Sequence, residues 1–342
     1  MTVCDEKIGK LALNIGGVDL DGRALLAPMA GVTDVGMRRI ARRFGAALVV
    51  SEMVAADDFA RGDAESRLRA EGEGVDPHVV QIAGCDPRWM GEAAQLAEAS
   101  GAAIVDINMG CPAKKVTGGL AGSALMREPD LAIKLVRATV AAVKIPVTLK
   151  MRLGWDHDSL NAPELAARAQ AEGVAMVTVH GRTRQQFYKG RADWAAIRAV
   201  RARVTIPLVA NGDCSSPQEA AEMLRQSGAD AVMVGRAAVG RPWLVGDIAH
   251  YLRCGVARAT PSAHVRLSAA LEHYEALLSA FGVAQGLRHA RKHLAAYVED
   301  SCRLRGAPVD SQARLRIVTS DDPGAVRAML SDVFLSHEAE AA

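Results

Sequence analysis

The chain of 342 residues is poor in aromatic side chains, which make up 4% of it, and its formal net charge is only +2. No apolar run is long enough to span a bilayer, and the first residues lack a signal-peptide pattern. These absences argue against a membrane protein and against a polyanion-binding surface spread over the whole molecule, although charge can still gather locally. We expect a cytoplasmic, monomeric globular protein with an aliphatic core.

The six cysteines include no Cys-x-x-Cys pair and no spacing typical of zinc ligands. Their spread along the chain also argues against an iron–sulfur cluster, so no metal site is predicted. No Gly-x-Gly-x-x-Gly fingerprint follows an early strand. Its absence weighs against an open doubly wound sheet, which is the alternative architecture for a chain that alternates strands and helices.

Short β-rich segments alternate with amphipathic helical segments over most of the chain. The predicted strands are Ala24–Ala30, Ala46–Ser51, His78–Ala83, Ala103–Ile107, Val147–Arg152, Met176–His180, Leu208–Asn211 and Ala231–Gly235. The predicted helices between and after them are Asp34–Phe44, Pro87–Ser100, Asp130–Val143, Ala162–Glu172, Trp194–Val204, Pro217–Ser227 and Arg236–Tyr251. Eight such units within about 230 residues predict a closed (β/α)₈ TIM barrel.

The two ends of the chain have a different pattern. A Gly-Gly pair between two alternating runs at about residues 11–20 predicts a hairpin below the barrel. Helical periodicity alone continues at His264–Ala280, Gln285–Asp300 and Asp322–Phe334. We therefore predict a barrel domain over 1–252 and an all-helical domain over 253–342. Between residues 253 and 316 ten Lys and Arg face five acids, which is compatible with RNA binding and equally with a solvated helix surface.

The segment Asn108–Gly122 follows the fourth predicted strand and contains Cys111, two lysines and four glycines. The carboxyl ends of the strands form the rim of a TIM barrel where catalysis takes place. Polar or charged residues also occur at the ends of almost all the remaining predicted strands. Burying such residues costs free energy unless they bind a partner. This pattern predicts a ligand site at the barrel mouth.

Several of these residues suit a flavin. Asn211-Gly212-Asp213 and Gly235-Arg236 follow strands seven and eight, where TIM barrels often bind phosphate. Lys150 lies within an apolar strand and needs an anion, which a reduced flavin ring provides, and Gln81 would hydrogen-bond the pyrimidine edge of the ring. A Schiff-base lyase would also place a lysine such as Lys150 in a barrel strand, so that alternative stays open.

Five segments resemble the tRNA-dihydrouridine synthases, flavin enzymes that reduce uridines in tRNA, and are most similar to the bacterial B-type branch. They are Leu26–Asp34, Asp106–Pro112, Lys150–Trp155, Val179–Arg184 and Ala210–Asp213, and Gly286–His293 matches more weakly. The resemblance implies FMN as cofactor, NADPH as reductant and tRNA as substrate. The FMN contacts that it implies are Pro28, Met29, Ala30, Gln81, Lys150, His180, Asn211, Gly212, Asp213, Gly235 and Arg236.

The same resemblance implies that Cys111 protonates uracil C5 after hydride reaches C6, and that Asn108 holds the target uracil. This role requires a protonated thiol at neutral pH, which an ordinary cysteine satisfies. We expect RNA phosphates to be bound by Lys114, Lys115, Arg182, Arg184, Arg288, Arg291 and Lys292. A flavin dehydrogenase for small pyrimidines and a non-catalytic RNA-binding barrel remain as alternatives.

Overall fold

A computed structural model of the chain describes residues 13–335. Its first elements are the strands β1 (Leu13–Ile15) and β2 (Val18–Leu20), which pair antiparallel through a Gly16-Gly17 turn. The apolar side chains of this hairpin are buried among inward-facing residues such as Leu25 and Met233 near the amino ends of the barrel strands. The hairpin therefore closes the lower end of the barrel.

Eight parallel strands follow and close into a barrel, which confirms the predicted TIM fold and excludes the open sheet. They are β3 (Ala24–Leu26), β4 (Leu48–Ala55), β5 (Val79–Ala83), β6 (Ile104–Met109), β7 (Val147–Arg152), β8 (Met176–His180), β9 (Leu208–Asn211) and β10 (Ala231–Val234). Each strand pairs with the next, and β10 pairs with β3 to complete the ring.

Helices surround this ring. They are α1 (Val35–Arg43), α2 (Ala56–Ala60), α3 (Ala64–Ala70), α4 (Pro87–Ala99), α5 (Lys114–Thr117), α6 (Pro129–Ala142), α7 (Ala162–Ala171), α8 (Arg198–Arg201), α9 (Pro217–Ser227) and α10 (Leu244–Cys254). The predicted helix Trp194–Val204 is instead a 3₁₀ turn followed by the short α8. The predicted helix Arg236–Tyr251 is interrupted before α10, because Gly240 adopts φ +76° and Pro242 follows it.

Four further helices form the carboxyl-terminal part: α11 (Ala263–Phe281), α12 (Val283–Leu304), α13 (Ser311–Thr319) and α14 (Pro323–Leu335). Their hydrophobic core includes Tyr274, Leu294 and Leu330, and it extends to Ile40 of α1 and to Trp243 before α10. The predicted division at residues 252 and 253 falls inside the last turn of α10. Within residues 13–335 no helix is both long and apolar enough to cross a membrane.

Alternation along the strands decides what each face of the barrel contains. Outward-facing residues such as Val105, Leu149 and Val177 pack against the surrounding helices in the main core. Inward-facing residues near the amino ends are apolar, and Ile104 and Met176 belong to the cluster that contains the hairpin. The inward positions further along the strands are polar, so the site lies at the carboxyl-terminal end of the barrel.

Candidate active site

The upper half of the barrel interior is built from buried polar side chains. Those that point inward from β5 to β9 are Gln81, Asp106, Asn108, Thr148, Lys150, Arg152, Thr178 and Asn211, together with the half-buried His180. The strand register brings neighbours side by side, with Gln81 opposite Asp106, Asn108 opposite Lys150, and Arg152 opposite His180. Because buried polar groups are costly unless they have partners, their contacts define what the site can do.

A chain of hydrogen bonds leads from the barrel interior to Cys111. Thr148 Oγ1 and Gln81 Nε2 each donate to the Asp106 carboxylate over 2.6 Å, and Asn108 Nδ2 donates to Gln81 Oε1 over 2.8 Å. Asn108 Oδ1 then accepts the backbone N–H of Cys111 at 2.9 Å. Burial raises the pKa of Asp106, while its two donors favour the carboxylate. The network fixes the backbone that carries the thiol.

This network changes the interpretation of two predicted contacts. Gln81 was expected to bind the flavin and Asn108 the uracil, and in the structure both ends of each amide have protein partners. Each amide group keeps one further N–H that could reach a ligand. Sequence reasoning did not identify Asp106 and Thr148 as site residues, although they lie two positions before Asn108 and Lys150 and therefore share their face of the barrel.

The segment after Cys111 folds back onto it. The backbone N–H and the hydroxyl of Ser123 both donate to the Cys111 carbonyl, at 3.0 and 2.9 Å. Gly122 has φ +59°, and a Cβ there would lie 2.8 Å from the same carbonyl oxygen. Only glycine allows this close return. Cys111 is a free, half-buried thiol at the barrel mouth.

Lys150 is the buried ammonium group of the site. Its Nζ donates to Asn211 Oδ1 over 3.0 Å, and the Asn211 amide donates to the Met233 carbonyl. Burial and the neighbouring Arg152 lower the pKa of Lys150 to about 8. An ammonium has three N–H groups, and this is its single protein acceptor in residues 13–335. Lys150 is therefore suited to an anionic ligand.

His180 is held as a neutral ring among cations. Burial and the charges of Lys150, Arg152, Arg182 and Arg236 depress the pKa of His180 well below its usual value. Arg182 Nη1 lies 3.3 Å from His180 Nε2. A guanidinium can only donate, so Nε2 accepts and the ring proton lies on Nδ1. The concentration of positive charge around an uncharged histidine favours an anion at this position.

Arg182 does not occupy the position predicted for it. It was expected to bind RNA phosphate, but its side chain is 2% exposed and forms a bidentate ion pair with Asp213, at 3.0 and 2.5 Å. It also donates to the Gly190 carbonyl at 2.6 Å. These bonds use both terminal nitrogens of the guanidinium, so the RNA contact is withdrawn. Arg182 instead positions Asp213 and His180.

Arg152 is a second arginine with an internal role, and sequence reasoning did not include it among the site residues. It is 1% exposed and donates to the Gly110 carbonyl at 2.8 Å. Its Nη1 donates to the carbonyls of Thr183 and Phe187, at 2.8 and 2.9 Å. Arg152 thus ties the Cys111 segment to the loop after β8. Its spacing of two from Lys150 was the available signal, since both residues face inward.

The loops after β9 and β10 provide unpaired backbone donors. The N–H groups of Asp213 and Gly235 have no acceptor in the part of the chain that the structure describes, whereas the strand register directs the Gly212 N–H to the Met233 carbonyl. Gly212 has φ +122°, and a Cβ there would lie 2.7 Å from Ala192 Cβ, so a side chain is excluded. Arg236 Nη2 lies 3.3 Å from Asp213 Oδ1 at the edge of the same region. Backbone N–H groups beside an arginine suit a phosphate.

The loop from Pro28 to Thr33 lies next to this region. Met29 donates its N–H to Thr33 Oγ1 at 2.9 Å, and its carbonyl accepts the N–H of Val32 at 2.9 Å. Met29 Sδ lies 3.7 Å from the position of a Cβ on Gly235, so the thioether faces the neighbouring loop. Ala30 is exposed, and the N–H of Gly31 donates to the buried Glu52. Residues 28–30 therefore border the mouth as predicted from the sequence.

The other residues predicted to contact RNA lie on the surface. Lys114 is exposed, and the side chain of Lys115 lies outside the part of the structure that is described. The guanidinium carbons of Arg184 and Arg127 lie over the Trp155 ring, at 4.8 and 3.7 Å from its centre. Arg288, Arg291 and Lys292 are exposed on α12. Lys114 and Arg184 thus follow barrel strands β6 and β8, whereas the other three cations belong to α12 of the carboxyl-terminal part.

Exposed aromatic residues also border the mouth. Tyr188 is 48% exposed, and the guanidinium carbons of Arg236 and Arg152 lie 5.1 and 5.8 Å from its ring centre. Phe187 packs edge-on against Tyr188 and has φ +54°, an uncommon backbone conformation for a large side chain. Few aromatics occur in the chain, so two at this edge are informative. A flat ring near cations is suited to stacking against a base.

The comparison with known proteins agrees with this geometry. The model of the family described as "Dihydrouridine synthase (Dus)" matches residues 25–322. A probable tRNA-dihydrouridine synthase of Rhizobium leguminosarum bv. phaseoli is 54% identical over 309 residues, which is 90% of this chain and 94% of the relative. A tRNA-dihydrouridine synthase B of Xanthomonas axonopodis pv. citri is 46% identical over 323 residues, covering 94% of this chain and 96% of the relative.

Solved structures share the fold at low identity. Histamine dehydrogenase from Rhizobium sp. 4-9 aligns with a TM-score of 0.56 at 15% identity, over 79% of this chain and 51% of that one. TcOYE, solved with pHBA, aligns with a TM-score of 0.55 at 13% identity, over 75% of this chain and 95% of that one. These likenesses support the barrel architecture alone. The family match and the identities to full-length relatives go further: the chain belongs to the dihydrouridine synthase family.

Proposed function

We propose that this protein is a tRNA-dihydrouridine synthase that uses FMN and NADPH to reduce the C5–C6 double bond of uridines in tRNA. The observation that carries the proposal is the meeting of three features at one barrel mouth. These are the free thiol of Cys111, the buried ammonium of Lys150 and the unpaired backbone donors after β9 and β10. Full-length relatives with this activity in their names support the same assignment.

The residues present fit FMN. The N–H groups of Asp213 and Gly235, with Gly212 and Arg236 beside them, would receive the phosphate. Lys150 has N–H groups left for an electron-rich ring edge, and His180 is a neutral neighbour. Pro28, Met29 and Ala30 would lie along the ring, and Gln81 would reach it with its remaining N–H. When bound, FMN would supply the hydride that uracil receives at C6.

The task of Cys111 is to deliver a proton to uracil C5. Its backbone is held by Asn108 and Ser123, so the thiol has a defined position at the mouth. A base inside a folded RNA must be extruded to reach such a position, at a cost of a few kcal/mol. The exposed Tyr188 offers a surface on which an extruded base would stack. The protein groups therefore orient the base and supply the proton.

Affinity for tRNA would come from cations on the barrel and on α12. Lys114 and Arg184 lie on the barrel side, and Arg288, Arg291 and Lys292 lie on α12. Contacts to phosphate release counterions, so binding should weaken steeply with salt. The helical domain would thus take part in tRNA binding.

The test is reduction of unmodified tRNA by the purified protein with FMN and NADPH, followed by dihydrouridine analysis. We expect new dihydrouridine in the tRNA. Turnover of free pyrimidines alone would support a small-molecule dehydrogenase instead, and a purified protein without flavin would support a non-catalytic RNA-binding protein. Trapping of a substrate on Lys150 by borohydride would support the Schiff-base lyase.

The assignment of Cys111 has its own test. Cys111→Ala should retain FMN and NADPH oxidation but lose most uridine reduction, because no other group would donate the proton. Cys85→Ala is the matched control, since Cys85 is also a free, exposed thiol that follows β5 but takes no part in the hydrogen bonds that hold Cys111. Full reduction of tRNA by Cys111→Ala would show that the thiol is not the acid.

A further inference from the structure

A buried polar cluster joins the helical domain to the barrel next to the loop of residues 28–33. The Asp34 carboxylate lies 2.9 Å from His273 Nε2 and 3.9 Å from His293 Nε2. His273 Nδ1 lies 3.1 Å from the Tyr297 hydroxyl. The side chains of His273 and His293 are 1% and 2% exposed. One residue of this cluster thus belongs to the barrel, and three belong to α11 and α12.

One hydrogen bond of this cluster has a fixed direction. His273 Nε2–H donates to Asp34, because a carboxylate only accepts, and the Tyr297 hydroxyl lies within hydrogen-bond distance of His273 Nδ1. Burial opposes ionisation of Asp34, but His273 and the N–H of Met37 more than offset it and hold the pKa of Asp34 well below its usual value. A carboxylate buried at this depth requires its donors. The helical domain supplies the side-chain donor.

Asp34 also connects directly to the loop that borders the mouth. It caps the amino end of α1 by accepting the N–H of Met37 at 3.1 Å. It follows Thr33, whose hydroxyl accepts the N–H of Met29 and whose own N–H donates to the Met29 carbonyl. Moving the Asp34 side chain would therefore shift a turn that contains Met29 and Ala30. The loop has little core packing of its own, since residues 28–32 are half-buried or exposed.

Two further contacts of α12 reach the same loop. The Lys292 Nζ lies 3.0 Å from the position of a Cβ on Gly31, so the ammonium rests against the backbone. The His293 ring is adjacent to Asp34 and to the Gly31 backbone. Where α1 packs against α11, a Cβ on Gly36 of α1 would lie 2.7 Å from Ala276 Cβ of α11. Helices α1 and α11 therefore approach closely where the cluster lies.

We infer that His273, through Asp34, is a positioning residue by which the helical domain holds the flavin-binding loop in its binding conformation. This rests on the proposed function, which places FMN against residues 28–30. The helical domain then has a role in cofactor binding besides RNA contact. Loss of the His273 donor leaves Asp34 as a buried charge, and the turn that follows Met29 loses its anchor.

The test compares FMN dissociation constants of apoprotein variants, followed by flavin fluorescence, together with their melting temperatures. His273→Leu removes the donor, and His273→Gln keeps an N–H that can reach Asp34. Loss of a hydrogen bond to a buried charge should weaken FMN binding roughly tenfold or more. His273→Gln should recover most of that loss. The visible flavin spectrum should shift in His273→Leu and return in His273→Gln.

Leu277→Ala is the matched control. Leu277 lies on the same helix and is 2% exposed in the helical core, outside the polar cluster. It should lower the melting temperature while FMN affinity stays near that of the wild type. Equal loss of FMN affinity in both variants would overturn the inference, because general destabilisation would then explain it. Unchanged affinity in His273→Leu would overturn it as well.

Two other results would be distinguishable from these, one concerning the proposed function and one concerning a metal in the cluster. A wild-type protein that binds no FMN would refute the proposed function itself. The three ligand atoms of Asp34, His273 and His293 lie within 4.8 Å of one another, which also makes a metal centre testable. One equivalent of zinc in the wild type that is lost in His293→Leu would overturn the positioning role, since the cluster would then be a metal site and the prediction of no metal would be wrong.

Discussion

Lys150→Met isolates the energetic cost of keeping a cation inside the barrel. Lys150 is 9% exposed, and burial lowers its pKa from 10.5 to about 8. Each pKa unit corresponds to about 1.4 kcal/mol, so burying the charged side chain costs on the order of 3 kcal/mol at neutral pH. Methionine has a similar length and no charge. The apoprotein of Lys150→Met should therefore be more stable than that of the wild type at pH 7.

The pH dependence of this difference follows from linkage. The native pKa lies below the unfolded one, so between about pH 8 and 10.5 the unfolded chain binds more protons than the native one. Stability of the wild type then rises with pH in that window, because the penalty for the buried charge disappears as Lys150 loses its proton. Lys150→Met has no such group. Its advantage should be complete below about pH 8 and should shrink towards pH 10.5.

Urea unfolding of both apoproteins at pH 7 and at pH 9.5 measures the difference in their free energies of unfolding. Titration with FMN measures the difference in their FMN affinities. The variant should gain stability and lose FMN affinity, because it lacks the ammonium group that would bind the electron-rich edge of the ring. Lys134→Met is the control, because Lys134 is exposed on α6 and should change neither quantity. A Lys150→Met apoprotein that is less stable than the wild type at pH 7, or a gain that does not depend on pH, would refute the reasoning.

Further predictions concern the backbone, the thiol network and RNA binding. Gly212→Ala should abolish FMN binding in a reconstitution assay, because its Cβ would lie 2.7 Å from Ala192 Cβ. Asn108→Ala removes the acceptor of the Cys111 N–H, and uridine reduction should slow by roughly tenfold to a hundredfold in single-turnover assays; an unaltered rate would remove Asn108 from the site. Replacing Arg288 and Arg291 by Ala should weaken tRNA binding in filter assays and lower the salt slope by about 1 for each phosphate that is no longer bound. An identical slope would place the RNA elsewhere.

The sequence by itself determined the barrel. Strand and helix periods of two and 3.6 residues are local properties, and they located the eight strands to within a few residues. The helices that the sequence did not predict include α2 and α5, which are too short to show a helical period. The strand ends also pointed to the mouth, because the carboxyl ends of parallel strands necessarily meet at one edge. Cys111, Lys150 and His180 could therefore be assigned to one region from their positions alone.

Tertiary structure alone decided which polar groups have protein partners. Arg182 and Arg184 have the same residue type two positions apart, yet Arg182 is buried against Asp213 while Arg184 stacks on Trp155. The partner is far along the chain in each case, so no local pattern distinguishes them. The same holds for Asp34, whose donor His273 is 239 residues away. Packing between distant segments decides which charged side chains pair within the protein and which remain available to ligands. That packing exists only in the folded chain.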